Sequence, residues 1–247
     1  MTGSADDATL RRALEHAIGP EKVRTDDSIL RTYSSDASPC AVKPRAVAFA
    51  ETEDDVRAVL RACREVEVPI TPRASGTSLS GAAIGPGVVL DTTRFHRILE
   101  FDPERRVVRV EPGILLAELN AYLAERGMRF APDPGSQDLC RIGGMVGHNA
   151  SGYRSVKYGQ TRDHVLSLKV LLADGTPLHA HDVPVNGAEW RDIVGRANGL
   201  EQVRKEIEAH RDAILSSRRP IRKHSCGYQL VGIVESLARG VFPLASL

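Results

Sequence analysis

Between Arg45 and Gly81 the chain reads RAVAFAETEDDVRAVLRACREVEVPITPRASGTSLSG, and no other stretch constrains the fold as much. RAVAFA suits a strand. Thr52, with Asp55 three residues later, marks a capped helix start, and Val56, Val59, Leu60 and Cys63 recur on one face of the helix that follows. VPIT is the next strand. This strand–helix–strand unit delivers the loop PRASGTSLSG at the carboxyl end of a strand. Gly76 and Gly81 there allow backbone conformations with φ above zero. Successive N–H groups can then converge on one anionic point, with Ser75, Thr77, Ser78 and Ser80 as further donors. The expected ligand group is a phosphate.

Around this unit the patterning alternates. Residues 6–18 read as a helix with Leu10, Ala13, Leu14, Ala17 and Ile18 on one face. After the loop, GVVLDTT, RILEFD and RVVRVEPG read as short strands, with DPER as a turn between the last two. LLAELNAYLAERG is an amphipathic helix with Gly127 as its C′ residue. HVLSLKVLLADGTPLHA reads as a hairpin turning at ADGT. NGLEQVRKEIEAHRDAIL is helical. The mixture is α+β and not a regular doubly wound sheet.

The bulk properties of the 247 residues exclude several classes. A net charge of +1 argues against a polyanion binder acting through bulk charge, so no nucleic-acid partner is expected. No apolar run is long enough for a transmembrane segment and the N-terminus lacks a signal-peptide core, so the expected location is cytoplasmic or peripheral to the membrane. Cys40, Cys63, Cys140 and Cys226 lie too far apart for a local zinc or iron–sulfur site and read as free, mostly structural thiols. His179 and His181 stand at strand spacing, where a solvated strand end is the better reading than a metal pair, so no metal is expected.

The loop fails two nucleotide-binding patterns. Gly76 and Gly81 have the glycine spacing of a Walker A loop, but Ala82 and Ala83 stand where Lys and Ser/Thr belong. It has no G-x-G, and it feeds strands and not a helix, so a Rossmann fingerprint fails too. A second glycine-rich segment, PDPGSQDLCRIGGMVGHNASGYRSVKYGQTRDHV, supplies what the first lacks. Its glycines flank an apolar run from Ile142 to Val146, punctuated by Ser136, Asn149 and Ser151. Bare backbone with a few placed polar groups suits a large flat ligand. Two such walls could sandwich an elongated dinucleotide.

Four motifs, in order, then carry a resemblance: AVAFAETEDDVRAVLRACREVEVPITPRASGTSLSG, PDPGSQDLCRIGGMVGHNASG, SVKYGQTRDHVLSLKVLLADGT and RKHSCGYQLVGIVESL. The chain resembles the flavin domain of the vanillyl-alcohol-oxidase/para-cresol-methylhydroxylase family, the FAD-linked oxidases. Within it the chain is most similar to the D-2-hydroxy-acid dehydrogenases: the glycolate oxidase flavoprotein subunit, D-lactate dehydrogenase and the FAD/iron–sulfur fusion type. The enolpyruvyl-sugar reductase of cell-wall synthesis is a weaker match.

The resemblance implies an α+β, two-subdomain FAD-binding domain. It places a helical lead-in at residues 1–39, the FAD-binding domain at 40–220 and the start of a truncated substrate or cap domain at 221–247. It assigns the FAD pyrophosphate to Arg73, Ala74, Ser75, Gly76, Thr77 and Ser78, with Gly81 closing the loop. It assigns the flavin and adenosine side to Gly135, Ser136, Ile142, Gly143, Gly144, Asn149, Ser151 and Gly152, with Val165 a further contact. Non-covalent FAD is implied, because His148 matches no linkage position. The implied activity is oxidation of a D-2-hydroxy acid of the lactate, glycolate or 2-hydroxyglutarate class by hydride transfer to FAD. No catalytic base is identified: His148, His164 and His224 are candidates that each read better as structural or solvated. A second polypeptide supplying the cap or the electron acceptor is the implied partner. The alternative is a non-catalytic flavin-binding subunit or an inactive truncated remnant. Leu230, Ile233, Val234 and Leu237 are expected to leave an apolar helix face without a partner.

Overall fold

The strand–helix–strand reading holds in a computed structural model, which describes residues 5–197, 199–219 and 227–246. The chain divides into two units, Met1–Arg154 and Ser155–Leu247. The first opens with α1 (Asp7–Ile18), β1 (Val23–Arg24), α2 (Asp27–Thr32), β2 (Ala46–Phe49), α3 (Glu53–Glu65), β3 (Ile70–Arg73) and β4 (Val88–Asp91). One sheet runs in the order β1-β2-β4-β3, with β2 and β3 both parallel to β4 and β1 antiparallel to β2. Parallel strands need crossovers: α3 carries the chain from β2 past the β4 position to β3, and the 74–87 loop brings it back to β4 in between.

Both faces of this sheet are covered, which is why its strands are apolar almost throughout. Ala46, Ala48, Val88 and Leu90 pack with Leu10, Leu14, Val59, Ala62 and Cys63 of α1 and α3. Val47 and Val89 pack on the other face with Leu30 of α2. The α3 cap is as expected: Thr52 Oγ1 accepts from the Asp55 N–H at 3.1 Å, and the Asp55 carboxylate accepts from the Thr52 N–H at 3.1 Å. The buried stripe differs at one position. Ala62 completes the i, i+3, i+4 pattern from Val59, while Leu60 sits half-buried at the stripe's edge.

The same unit continues with β5 (Ile98–Asp102), β6 (Val107–Val110), α4 (Leu116–Ala124) and α5 (Ile142–Gly147). β5 and β6 form the expected hairpin. Leu116, Leu119, Leu123, Ile142 and Met145 make a separate core, against which Phe101 and Val108 pack. Gly127, at φ 66, donates its N–H to the Ala124 carbonyl just past α4. The short helix α5 was not foreseen. Its three glycines lower helix propensity, but burial of Ile142 and Met145 outweighs it.

The second unit contains α6 (Ser155–Tyr158), β7 (Leu168–Leu171), β8 (Pro177–Ala180), β9 (Asp182–Pro184), α7 (Ala188–Arg196), α8 (Leu200–Ala209), α9 (Arg211–Ser216), α10 (Leu230–Leu237) and β10 (Val241–Pro243). β7 and β8 form the expected hairpin, with Gly175 at φ 84 in its turn. The long helix expected over 198–215 is two, because His210 at φ −102 and ψ 16 interrupts it. The expectation of an unpartnered apolar face on α10 is overturned. Ile233 and Val234 are buried in this unit's own core with Trp190, Ile207 and Phe242, and Leu230 and Leu237 pack against it. The pairing of β9 with β10 brings Phe242 into that core. Residues 222–226 of the RKHSC motif, including His224 and Cys226, lie outside the described residues. Among the described residues no helix is long and apolar enough to cross a membrane.

Candidate functional site

The loop after β3 emerges beside the carboxyl ends of β2 and β4, the side of a parallel sheet where ligands bind. Gly76 has φ 70 and Gly81 φ 76, so both glycines are used in the conformation that favours glycine. A Cβ at Gly76 would also run into the Arg73 guanidinium. Among the described residues, nothing accepts a hydrogen bond from the N–H groups of residues 74–79. These donors, on residues that are half-buried or exposed apart from the buried Ser78, sit together on one loop, the arrangement that binds an anion.

Other contacts brace the loop from outside. The Gly76 carbonyl accepts from the Ala37 N–H at 3.1 Å. Asp36 accepts from the N–H groups of Ser38 (2.9 Å) and Ala83 (3.3 Å). Arg73 donates through Nη1 to the carbonyls of Ser35 (2.8 Å) and Ala83 (3.2 Å) and lies 5.0 Å over the Tyr33 ring. The Tyr33 hydroxyl donates to Asp91 at 2.6 Å. Burial, reinforced by that hydrogen bond, pushes the phenol above its ordinary pKa, so it stays protonated as a strut. Ser78 is buried, and its Oγ accepts from the N–H groups of Ser80 (3.3 Å) and Ala82 (3.2 Å), so its hydroxyl organises the turn.

The second glycine-rich segment meets the first. A Cβ at Gly144 would sit 3.7 Å from the Ala74 Cβ, in ordinary contact. Gly143 is constrained by the protein itself: a Cβ there would lie 2.6 Å from the Pro112 Cβ, and the Gly143 N–H donates to the Pro112 carbonyl at 2.7 Å. Gly152 likewise backs onto the Asp133 carbonyl. Nothing lies within 4 Å of a Cβ built at Gly135. Asn149 has φ 47 and donates its N–H to the Val146 carbonyl, while the Ala150 N–H donates to Met145. That is the left-handed closure of a helix, a conformation that asparagine adopts readily. Ile142 is buried beneath, and Ser136 and Ser151 are half-buried. Val165 belongs to the second unit, where its N–H donates to the Arg162 carbonyl at 3.1 Å.

Sequence reasoning missed Asp36 and Arg141. Arg141 stands two residues before Gly143, and its Nε donates to Ser75 Oγ at 3.1 Å. Its position in CRIGG was the only available signal. Among the candidate bases, His148 is exposed at the end of α5, and Nε2 of His164 lies 2.8 Å from the Tyr158 carbonyl. Cys63 and Cys140 are free and buried. Burial pushes the Cys63 thiol up to about 12 and raises that of Cys140, so neither is poised as a thiolate.

Residues 44–181 match the family model described as an FAD binding domain. The chain is 35% identical over 205 residues to the D-2-hydroxyglutarate dehydrogenase of Pantoea ananatis, covering 81% of this chain and 20% of that protein. It is 36% identical over 169 residues to glycolate oxidase subunit GlcD of Bacillus subtilis, covering 67% of this chain and 36% of that one. It thus spans about a fifth to about a third of the length of these relatives. The fold is like that of p-cresol methylhydroxylase solved with substrate bound, with a TM-score of 0.62 at 22% identity over 70% of this chain and 35% of that one.

Proposed function

Because this chain belongs to the FAD-binding domain family, we propose that it is the FAD-binding part of an oxidoreductase acting on a D-2-hydroxy acid. The observation that carries this reading is the run of six N–H groups, Ala74 to Leu79, with no partner among the described residues, beside the carboxyl ends of a parallel sheet. FAD fits this chemistry. Its diphosphate is an anion whose oxygens can each accept from several N–H groups, and no lysine is required. Gly144 faces Ala74, whose Cβ would be 3.7 Å from a Cβ built at Gly144, and the pair adds a stretch of backbone with small side chains, against which a flat group can lie.

In this reading Ala74, Ser75, Gly76, Thr77 and Ser78 hold the diphosphate through backbone N–H groups, with Gly81 closing the loop. Arg73 works beneath the loop as a brace. Gly144, with Gly135, Ser136, Asn149 and Ser151, lines the remainder, and Ile142, Gly143 and Gly152 hold that lining in place. When bound, non-covalently, FAD supplies the group that accepts hydride from the substrate carbon. The protein binds and orients it. Loss of the substrate's hydroxyl proton needs a base, and the exposed His148 imidazole makes no hydrogen bond or ion pair among the described residues.

That last observation keeps a second reading in view: a flavin-holding subunit whose chemistry is completed by another polypeptide. One experiment separates the two. The purified chain is titrated with FAD and then mixed anaerobically with D-2-hydroxyglutarate, glycolate or D-lactate. Bleaching of the oxidised flavin band by one of them supports the enzyme. A yellow protein that none of them reduces supports the flavin-holding subunit, and failure to take up FAD defeats both.

A further inference from the structure

The 74–79 loop carries donors but no cation, and Arg73 at its start is committed to the carbonyls of Ser35 and Ala83. A second guanidinium reaches the loop from the other glycine-rich segment. Arg141 Nε donates to Ser75 Oγ at 3.1 Å, and Nη1 donates to the Thr93 carbonyl at 3.4 Å and to the Gly113 carbonyl. Its Nη2 has no acceptor among the described residues. The backbone that carries it is pinned on both sides. The Leu116 N–H donates to the Cys140 carbonyl and the Ile142 N–H to the Ile114 carbonyl, each at 3.0 Å. Arg141 itself bridges to Leu115. The guanidinium therefore projects from a fixed base, half-buried, with one face on the loop and one donor pair uncommitted. A planar, permanently charged fork held in this way suits a phosphate oxygen and does not shift its own protonation.

We infer that Arg141 is a positioning residue for the dinucleotide diphosphate: it holds Ser75, and with it the loop, in the open-donor conformation and supplies the positive charge that the loop lacks. This rests on the reading of residues 74–79 as the diphosphate cradle. Two consequences separate it from a purely structural arginine. Binding of any diphosphate should share the effect, with or without a flavin, and part of the effect should be screened by salt.

The test uses the full chain with FAD and ADP as probes, titrated at low and at high ionic strength, alongside hydrogen exchange of the apoprotein. R141M should weaken FAD and ADP by a similar factor of about ten to a hundred, the range of a lost charge-assisted hydrogen bond. It should also flatten the salt dependence seen in the parent and speed amide exchange in residues 74–81. R141K keeps the charge without the fork, so it should retain the salt dependence while residues 74–81 still exchange faster. S75A should cost less alone and little more on top of R141M. Affinities within twofold of the parent for R141M, or an unchanged salt dependence, would overturn the inference. Should R141M not fold, R141K with parental exchange in the loop would overturn it as well. A parent chain that binds neither FAD nor ADP points instead to failure of the cradle reading itself.

Discussion

Gly143 and Gly144 are neighbours under different constraints, and the difference is testable. A methyl at Gly143 meets Pro112, whose Cβ and carbonyl oxygen lie 2.6 and 3.0 Å from it. Gly143→Ala should therefore destabilise the apoprotein by about 1–3 kcal/mol, as overpacking does, measured by urea denaturation without FAD. At Gly144 the same methyl makes ordinary contact with Ala74. Gly144→Ala should leave apoprotein stability nearly unchanged, whereas Gly144→Leu, growing toward the loop, should lose FAD with its circular dichroism intact. A Gly144→Leu chain that titrates normally would remove α5 from the site. Gly76→Val carries two penalties, a φ of 70 that β-branched residues resist and a collision with Arg73. FAD uptake should disappear in that variant, and full flavin occupancy would refute the cradle. The sequence indicated that glycines mattered here. It could not say which of the pair the protein needs and which the ligand needs, because that depends on what lies across the gap.

At the scale of elements, the start of α3 was legible in full. Thr52 and Asp55 bond within four residues of each other, so local spacing suffices. What spacing could not show is that Asp55 also accepts from the Glu51 N–H at 2.9 Å and from Lys22 Nζ at 3.0 Å, tying the helix to the turn between α1 and β1. Burial raises the Asp55 pKa, yet the Glu51 and Lys22 hydrogen bonds more than offset this and leave it below 3.8. The Lys22 ammonium is raised above 10.5, first by its hydrogen bond to Asp55. A depressed folded-state pKa contributes stability above the unfolded value, and that stability is lost as pH falls through the folded one. The raised lysine acts in the opposite sense: its contribution is complete below 10.5 and fades as pH climbs past that value. Asp55→Asn should accordingly cost about 2 kcal/mol at pH 7, the range of a lost charge-assisted hydrogen bond, with Glu51 at 3.8 Å left as the remaining carboxylate beside Lys22. The cost should shrink below pH 4. Equal losses at pH 7 and pH 3 would show that the carboxylate's charge is not what matters. The break between α8 and α9 went unread because His210 fits a helical pattern, and Ile207 and Ile214, seven residues apart, would share one face of an unbroken helix as well.

For the molecule as a whole, the consequence is that ligand stabilisation should be local. The residues proposed above to hold FAD lie in the first unit, and the second has its own core around Trp190 and Phe242. FAD at a hundred times its dissociation constant should stabilise the first unit by about 2.7 kcal/mol, by linkage. Hydrogen exchange should show protection across 74–81 and 142–150 with α8 and α9 unchanged, and protection concentrated in α8 would move the site elsewhere. The sequence by itself determined the strand–helix–strand unit, the glycine loop at its end and the ordered motif set, because two-residue and 3.6-residue periodicities and caps are local physics. Tertiary structure alone decided that the two glycine segments touch and that Asp36 and Arg73 brace the first from below. It also decided that Arg141 reaches Ser75 across 66 positions and that α10 buries its apolar face. Hydrogen bonds and cores between distant segments leave no periodic trace in a single chain, since a donor's composition says nothing of the acceptor that folding brings to it.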